Sequence, residues 1–115
     1  VPRAQLEGGA MVRLDDPPFH VLVAFVGDTP CAIEDACNHA GASLSDGERE
    51  GGAGAHPQCR PHVRCPMHGY VFDLESGKLV APLGLCGDQR RFAAQIDGDE
   101  VVVWDPGAGV SLLGT

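Results

Sequence analysis

Basic residues are scarce in this chain. Eight Lys and Arg stand against sixteen Asp and Glu, a formal charge of −8 over 115 residues. Binding to a phosphate backbone needs clustered Lys and Arg, so no nucleic-acid partner is expected. An acidic surface keeps a protein soluble, and it also suits electrostatic steering towards a positively charged protein partner. Long apolar runs are missing too. None approaches the roughly 18–20 residues of a membrane span, so no membrane association is expected. Residues Val1 to Leu6 lack a basic stretch followed by an apolar one, and no signal peptide is expected there. Helical periodicity is absent from every helix-sized window, with one turn at most over Ser43 to Asp46. The five cysteines are an odd number, which disfavours a closed disulfide framework and points to a reducing, cytoplasmic setting.

What the chain has in quantity is punctuation. Sixteen glycines and nine prolines separate short apolar runs, the pattern of a small all-β domain. Val21 to Val26 reads as a strand, Gly27-Asp28 as a turn and Pro30 to Glu34 as the returning strand. Tyr70 to Leu74 and Leu79-Val80 read as strands around the turn Glu75 to Lys78. Phe92 to Ile96 and Glu100 to Trp104 flank Asp97-Gly98-Asp99, a strong hairpin signal. Residues 105–115 read as a tail. The length suits a single domain over residues 1–115.

The chemistry is concentrated in two short pairs, Cys37-Asn38-His39 and Cys65-Pro66-Met67-His68-Gly69, each in a loop of small residues beside a strand. Two thiolates and two imidazoles match a [2Fe–2S] centre in which two histidines replace two cysteines on one iron. They can also build a structural zinc site. Zinc modules usually open with Cys pairs two to four apart, and a Cys-x-His followed by Cys-Pro-x-His-Gly is unusual for them.

The strings Cys37-Asn38-His39-Ala40-Gly41-Ala42 and Cys65-Pro66-Met67-His68-Gly69-Tyr70 resemble the two halves of a Rieske cluster-binding motif. The resemblance covers roughly Val21 to Trp104. It implies an all-β fold, a Rieske-like β-sandwich with a small cluster-binding subdomain, approximately residues 36–82, that carries two ligand loops. It implies one [2Fe–2S] cluster, with Cys37 and Cys65 on one iron as thiolates and His39 and His68 on the other through ring nitrogens. Imidazoles donate less negative charge than thiolates, so the His-ligated iron is the one that accepts the electron. Gly41 and Gly69 would let the backbone turn tightly around the sulfides and aim N–H groups at them. Pro66 would stiffen the second loop, and Met67 would cover the cluster with an apolar side chain. Pro82-Leu83-Gly84 resembles a third, shielding loop.

A competing pair, Cys59-Arg60-Pro61-His62, is separated from His39 by only 19 intervening residues, against 25 for Cys65. Spacing alone favours it. Yet Cys59 lacks a following Pro and His62 a following Gly, while Val63-Arg64 and Tyr70 to Asp73 resemble the family's flanking segments. Cys65 and His68 are therefore taken as the ligands, and Glu48 to Pro61 as an insertion at the loop base. Cys31 and Cys86 read as small buried hydrophobes.

Rieske proteins of respiratory complexes carry an extra Cys in each loop and a Ser hydroxyl after the second; here those positions are Ala42, Met67 and Tyr70. Fewer bonds to the cluster imply a potential at the low end of the family's range. The combination resembles the soluble Rieske ferredoxins that serve aromatic-ring oxygenases. The implied role is a monomeric one-electron carrier that catalyses nothing itself, docking transiently with a flavoprotein reductase and a terminal ring-hydroxylating oxygenase. The alternative is a fixed subunit of a larger oxidoreductase, such as a nitrite reductase.

Overall fold

The computed structural model describes residues 1–16, 19–37, 41–50, 61–67, 69–81, 87–106 and 110–111. Among the described residues, two short 3-10 turns within Arg3–Gly9 are followed by ten strands, β1 (Val12–Asp16), β2 (Phe19–Val26), β3 (Thr29–Glu34), β4 (Glu48–Glu50), β5 (His62–Arg64), β6 (Val71–Asp73), β7 (Leu79–Ala81), β8 (Arg91–Asp97), β9 (Glu100–Asp105) and β10 (Val110–Ser111), with a further 3-10 turn, Leu44–Asp46, between β3 and β4. They form a six-stranded sheet in the order β1-β2-β3-β8-β9-β10 and a four-stranded sheet β4-β5-β6-β7, with every pairing antiparallel.

Two hairpins of the large sheet turn on the same dipeptide. Val26 pairs with Thr29 across Gly27-Asp28, and Asp97 pairs with Glu100 across Gly98-Asp99. In each turn the glycine takes a positive φ, +63° and +61°. A two-residue hairpin with glycine first needs this conformation, which L side chains rarely adopt.

The run Val21-Leu22-Val23-Ala24 is buried throughout because β2 has a core on both faces. Val21 and Val23 join Leu6, Ala32, Phe92, Val101 and Val103 in one cluster. Leu22 and Ala24 join Ile33, Leu44, Val63, Phe72, Leu74 and Leu79 in the other, which also holds Cys37 and Cys65. Alternation along a strand sends successive side chains to opposite faces, and here both faces are apolar. The second cluster lies where β2 and β3 meet the small sheet.

The strands read from the sequence are all present, within a residue or two at their ends. The stretch taken as an insertion differs. Glu48–Glu50 is strand β4, paired with His62–Arg64 in the register Glu48↔Arg64 to Glu50↔His62. Its alternation of charged residues hides a strand at the edge of a sheet, where polar side chains are tolerated. The tail contributes β10, which pairs Val110 with Asp105 and Ser111 with Trp104. The loop Pro82-Leu83-Gly84, with Cys59 and Cys86, lies outside the described residues.

Gly47, just before β4, makes a close backbone approach to β5 of the same sheet. A Cβ there would stand 2.0 Å from the Arg64 carbonyl oxygen, backbone against backbone. Gly47→Ala is expected to lower stability by about 1–3 kcal/mol, the usual range for overpacking. Gly98→Ala meets open space and carries only the left-handed backbone cost of roughly 1–2 kcal/mol. Urea unfolding midpoints of the two variants should fall in that order.

Candidate metal centre

Both candidate loops are built on one hydrogen-bonded frame. The first, residues 37–42, is closed by the antiparallel bridge Ala36↔Ser43, and the second, residues 65–70, by the pair Arg64↔Val71. In each, the first residue is the cysteine. Its N–H donates to the carbonyl of the sixth residue, Cys37 to Ala42 at 2.8 Å and Cys65 to Tyr70 at 2.7 Å. Its carbonyl accepts the N–H of the fifth, Gly41 at 2.7 Å and Gly69 at 3.0 Å. Both glycines have positive φ, +74° and +71°. The tight turn expected of these glycines is therefore present, but their own N–H groups serve the cysteine carbonyls instead of pointing at a sulfide. Within this shared frame His39 is the third residue and His68 the fourth; both lie outside the described residues.

Cys37 and Cys65 are each 1% exposed and belong to the same apolar cluster. Two sulfur donors shielded from water, at equivalent places in two loops, fit one end of an iron–sulfur centre with mixed Cys and His ligation. Among the described residues no three Cys, His, Asp or Glu side chains converge as a metal site. The four-ligand set has only its two cysteines in that part of the chain. Met67 is 60% exposed; it projects into solvent, where a covering side chain would be packed down. The competing His62 lies within β5, outside both loops, with its Nε2 3.5 Å from Glu50 Oε1.

The base of the first loop is organised by Asp35, which is 1% exposed. Its carboxylate accepts the Ser43 hydroxyl and, at 2.8 Å, the Ser45 N–H. Its backbone carbonyl takes the Leu44 N–H at 2.8 Å. Arg13 approaches the same carboxylate at 3.9 Å and makes a tighter bond to Asp15, 2.7 Å away. His20, unremarkable in the sequence, completes this surface group with its Nδ1 2.6 Å from Asp15. The Arg13 guanidinium and then the His20 ring hold the Asp15 carboxyl below its ordinary pKa. Sequence reading missed Asp35 as a loop anchor. Its one signal was Asp and Ser eight residues apart around a loop, which is too common to interpret. Cys31 is the small buried residue expected, and burial followed by the charge of Glu75 pushes its thiol pKa up.

The second loop is braced from outside. Arg64 donates through Nε to Glu50 at 2.9 Å and through Nη1 to the Gly69 carbonyl at 3.3 Å.

The family model described as the Rieske [2Fe–2S] domain matches residues 2–83. This chain belongs to the Rieske family. Its cofactor is one Rieske-type [2Fe–2S] cluster. The ferredoxin component of biphenyl 2,3-dioxygenase from Rhodococcus jostii (strain RHA1) is 34% identical over 98 residues, 85% of this chain and 82% of that one. Among solved structures, the ferredoxin of carbazole 1,9a-dioxygenase from Nocardioides aromaticivorans IC177 superposes with a TM-score of 0.72 at 29% identity, covering 90% of this chain and 91% of that one. A chain in the complex of reduced oxygenase and oxidized ferredoxin in carbazole 1,9a-dioxygenase gives 0.71 at 27%, covering 90% and 96%. These Rieske relatives displace the zinc reading and carry the all-β fold expected from the sequence.

The Arg64 guanidinium, and to a lesser extent His62, hold the Glu50 carboxyl below its ordinary pKa. Any stabilisation from this pair is complete above the ordinary Glu range and is lost as pH falls through the folded value. The pair is exposed, so salt screens it. Arg64→Gln should raise the Glu50 pKa towards the unperturbed value, as read by NMR titration of its carboxyl carbon.

Proposed function

We propose that the protein carries single electrons from a flavoprotein reductase to a terminal ring-hydroxylating oxygenase and transforms no substrate itself. The observation that carries this reading is the pair of equivalent six-residue loops, each opening on a buried cysteine and containing a histidine. Cys37 and Cys65 hold one iron as thiolates, and His39 and His68 hold the other through ring nitrogens. When bound, the cluster supplies a reversible one-electron couple.

The chain's own residues do the rest. The apolar cluster around Cys37 and Cys65 keeps water from the sulfur side. The cysteine carbonyls hold the loops turned through the Gly41 and Gly69 N–H groups, which fixes the backbone that carries the two cysteines. The placement of His62 in a paired strand supports Cys65 and His68 over Cys59 and His62. Exposed Met67 in the second loop offers an apolar contact to a partner, on a chain whose charge of −8 favours basic partners.

The relatives named as dioxygenase ferredoxin components support a mobile carrier over a fixed subunit of a nitrite reductase. The complex of oxygenase with ferredoxin in carbazole 1,9a-dioxygenase supports the acceptor side. No helix among the described residues is long and apolar enough to cross a membrane. The reading includes a monomer acting in the reducing cytoplasm.

Cys65→Ser should abolish the visible iron–sulfur absorption, whereas Cys59→Ser should leave it intact. The reverse result would move the ligand set to Cys59 and His62. Since Ala42, Met67 and Tyr70 replace the bracing cysteines and the Ser hydroxyl of high-potential relatives, the midpoint should lie near the lower end of the range of about −150 to +300 mV. A redox titration with a midpoint well above zero would contradict this. Reconstitution with a reductase and an oxygenase tests the carrier role, which requires oxygenase turnover to depend on added protein.

A further inference from the structure

The two cysteine loops hang from different sheets, the first from the end of β3 and the second from β5 and β6. A centre shared between them depends on how the sheets are held together near the loop bases. We propose that Gln89 is a positioning residue for the cluster, fixing the first loop against the second. The inference rests on the ligand reading given above.

Gln89 lies just before β8 and is 4% exposed. Its side-chain Nε2 donates to the Glu34 carbonyl at 2.8 Å and to the Ala36 carbonyl at 2.7 Å. Ala36 is the residue before Cys37, so the carboxamide grips the strand on both sides of Asp35. An amide nitrogen has two protons, and these two acceptors use both. The main chain of Gln89 faces the other way. Its N–H donates to the Gly77 carbonyl at 2.8 Å, and a Cβ on Gly77 would lie 2.6 Å from the Gln89 carbonyl oxygen. Gly77 in turn donates to the Asp73 carbonyl at 2.8 Å. Asp73 ends β6, the strand that leaves the second loop.

One residue thus connects the entry of the first loop to the exit of the second through buried, directional bonds. Apolar packing can hold two sheets together while tolerating sliding, whereas this bridge defines one register. A side chain of similar length without N–H donors leaves two carbonyls unsatisfied and releases the first loop.

The test compares Gln89→Met and Gln89→Asn with Val103→Ala in the full-length, cluster-loaded protein. Val103 is buried in the other core, so its truncation destabilises the fold without touching the bridge. The readouts are the electron-paramagnetic g values of the reduced protein and the rate of cluster loss to a chelator, well below the unfolding temperature. Expected for Gln89→Met are shifted g values and loss faster by roughly tenfold, comparable to the lower end of the effect of removing a direct hydrogen-bond partner of a metal ligand. Gln89→Asn, which keeps the amide but shortens its reach, should move the same way by less, and it provides the reading if the methionine variant does not fold. Val103→Ala should lower the unfolding temperature but keep wild-type g values and loss rate. Wild-type values in a folded Gln89 variant, or equal changes in Val103→Ala, would overturn the proposal. Wild-type protein without a cluster would instead overturn the ligand reading itself.

Discussion

The carbonyl oxygen of each candidate ligand cysteine is bonded within its own loop, and the remainder of the site depends on that closure. It draws the fifth residue of the loop back over the first, which only a positive φ permits, and glycine supplies it at both places. With the carbonyls occupied and the N–H groups paired to the sixth residue, each thiol has a direction set by backbone geometry. Both thiols enter one apolar cluster. Asp35, Gly47, Arg64 and Gln89 lie outside this frame and fix its placement: one anchors a loop base, one allows close approach of backbones, one braces a loop exit and one joins the sheets.

The two-core arrangement separates electron chemistry from much of the framework. The core built from Leu6, Phe92, Val101 and Val103 packs on one face of β2, and the core containing the thiols lies on the other. The second core is the one that contains Cys37 and Cys65, so binding of a metal by the proposed cysteine ligands would couple to its packing. A carrier benefits from such a division. The second loop presents Met67 to solvent, and the net charge of −8 favours encounter with basic partners.

Local chemistry made most of the strands legible. Gly-Asp turns between apolar runs specify hairpins by backbone conformation alone, so β2, β3, β8 and β9 could be read without tertiary information. The loops were legible for a similar reason, since Cys, His and Gly at short spacing leave few other uses. Strand β4 was not. Glu48-Arg49-Glu50 has no apolar residue, and its extended form comes from pairing with β5. Strand β5 escaped notice because three residues give too little pattern to distinguish a strand from a loop.

Residue order along the chain was enough to point to candidate ligands, the two-loop plan and the family resemblance, because metal affinity and turn formation depend on donor chemistry and on a few consecutive dihedral angles. The roles of Asp35, Gly47 and Gln89 emerged only when distant segments came together. A buried carboxylate, a missing Cβ and a carboxamide acquire meaning from the carbonyls, hydroxyls and amides brought beside them. Those neighbours are up to 55 residues away in the chain, beyond the reach of any local pattern.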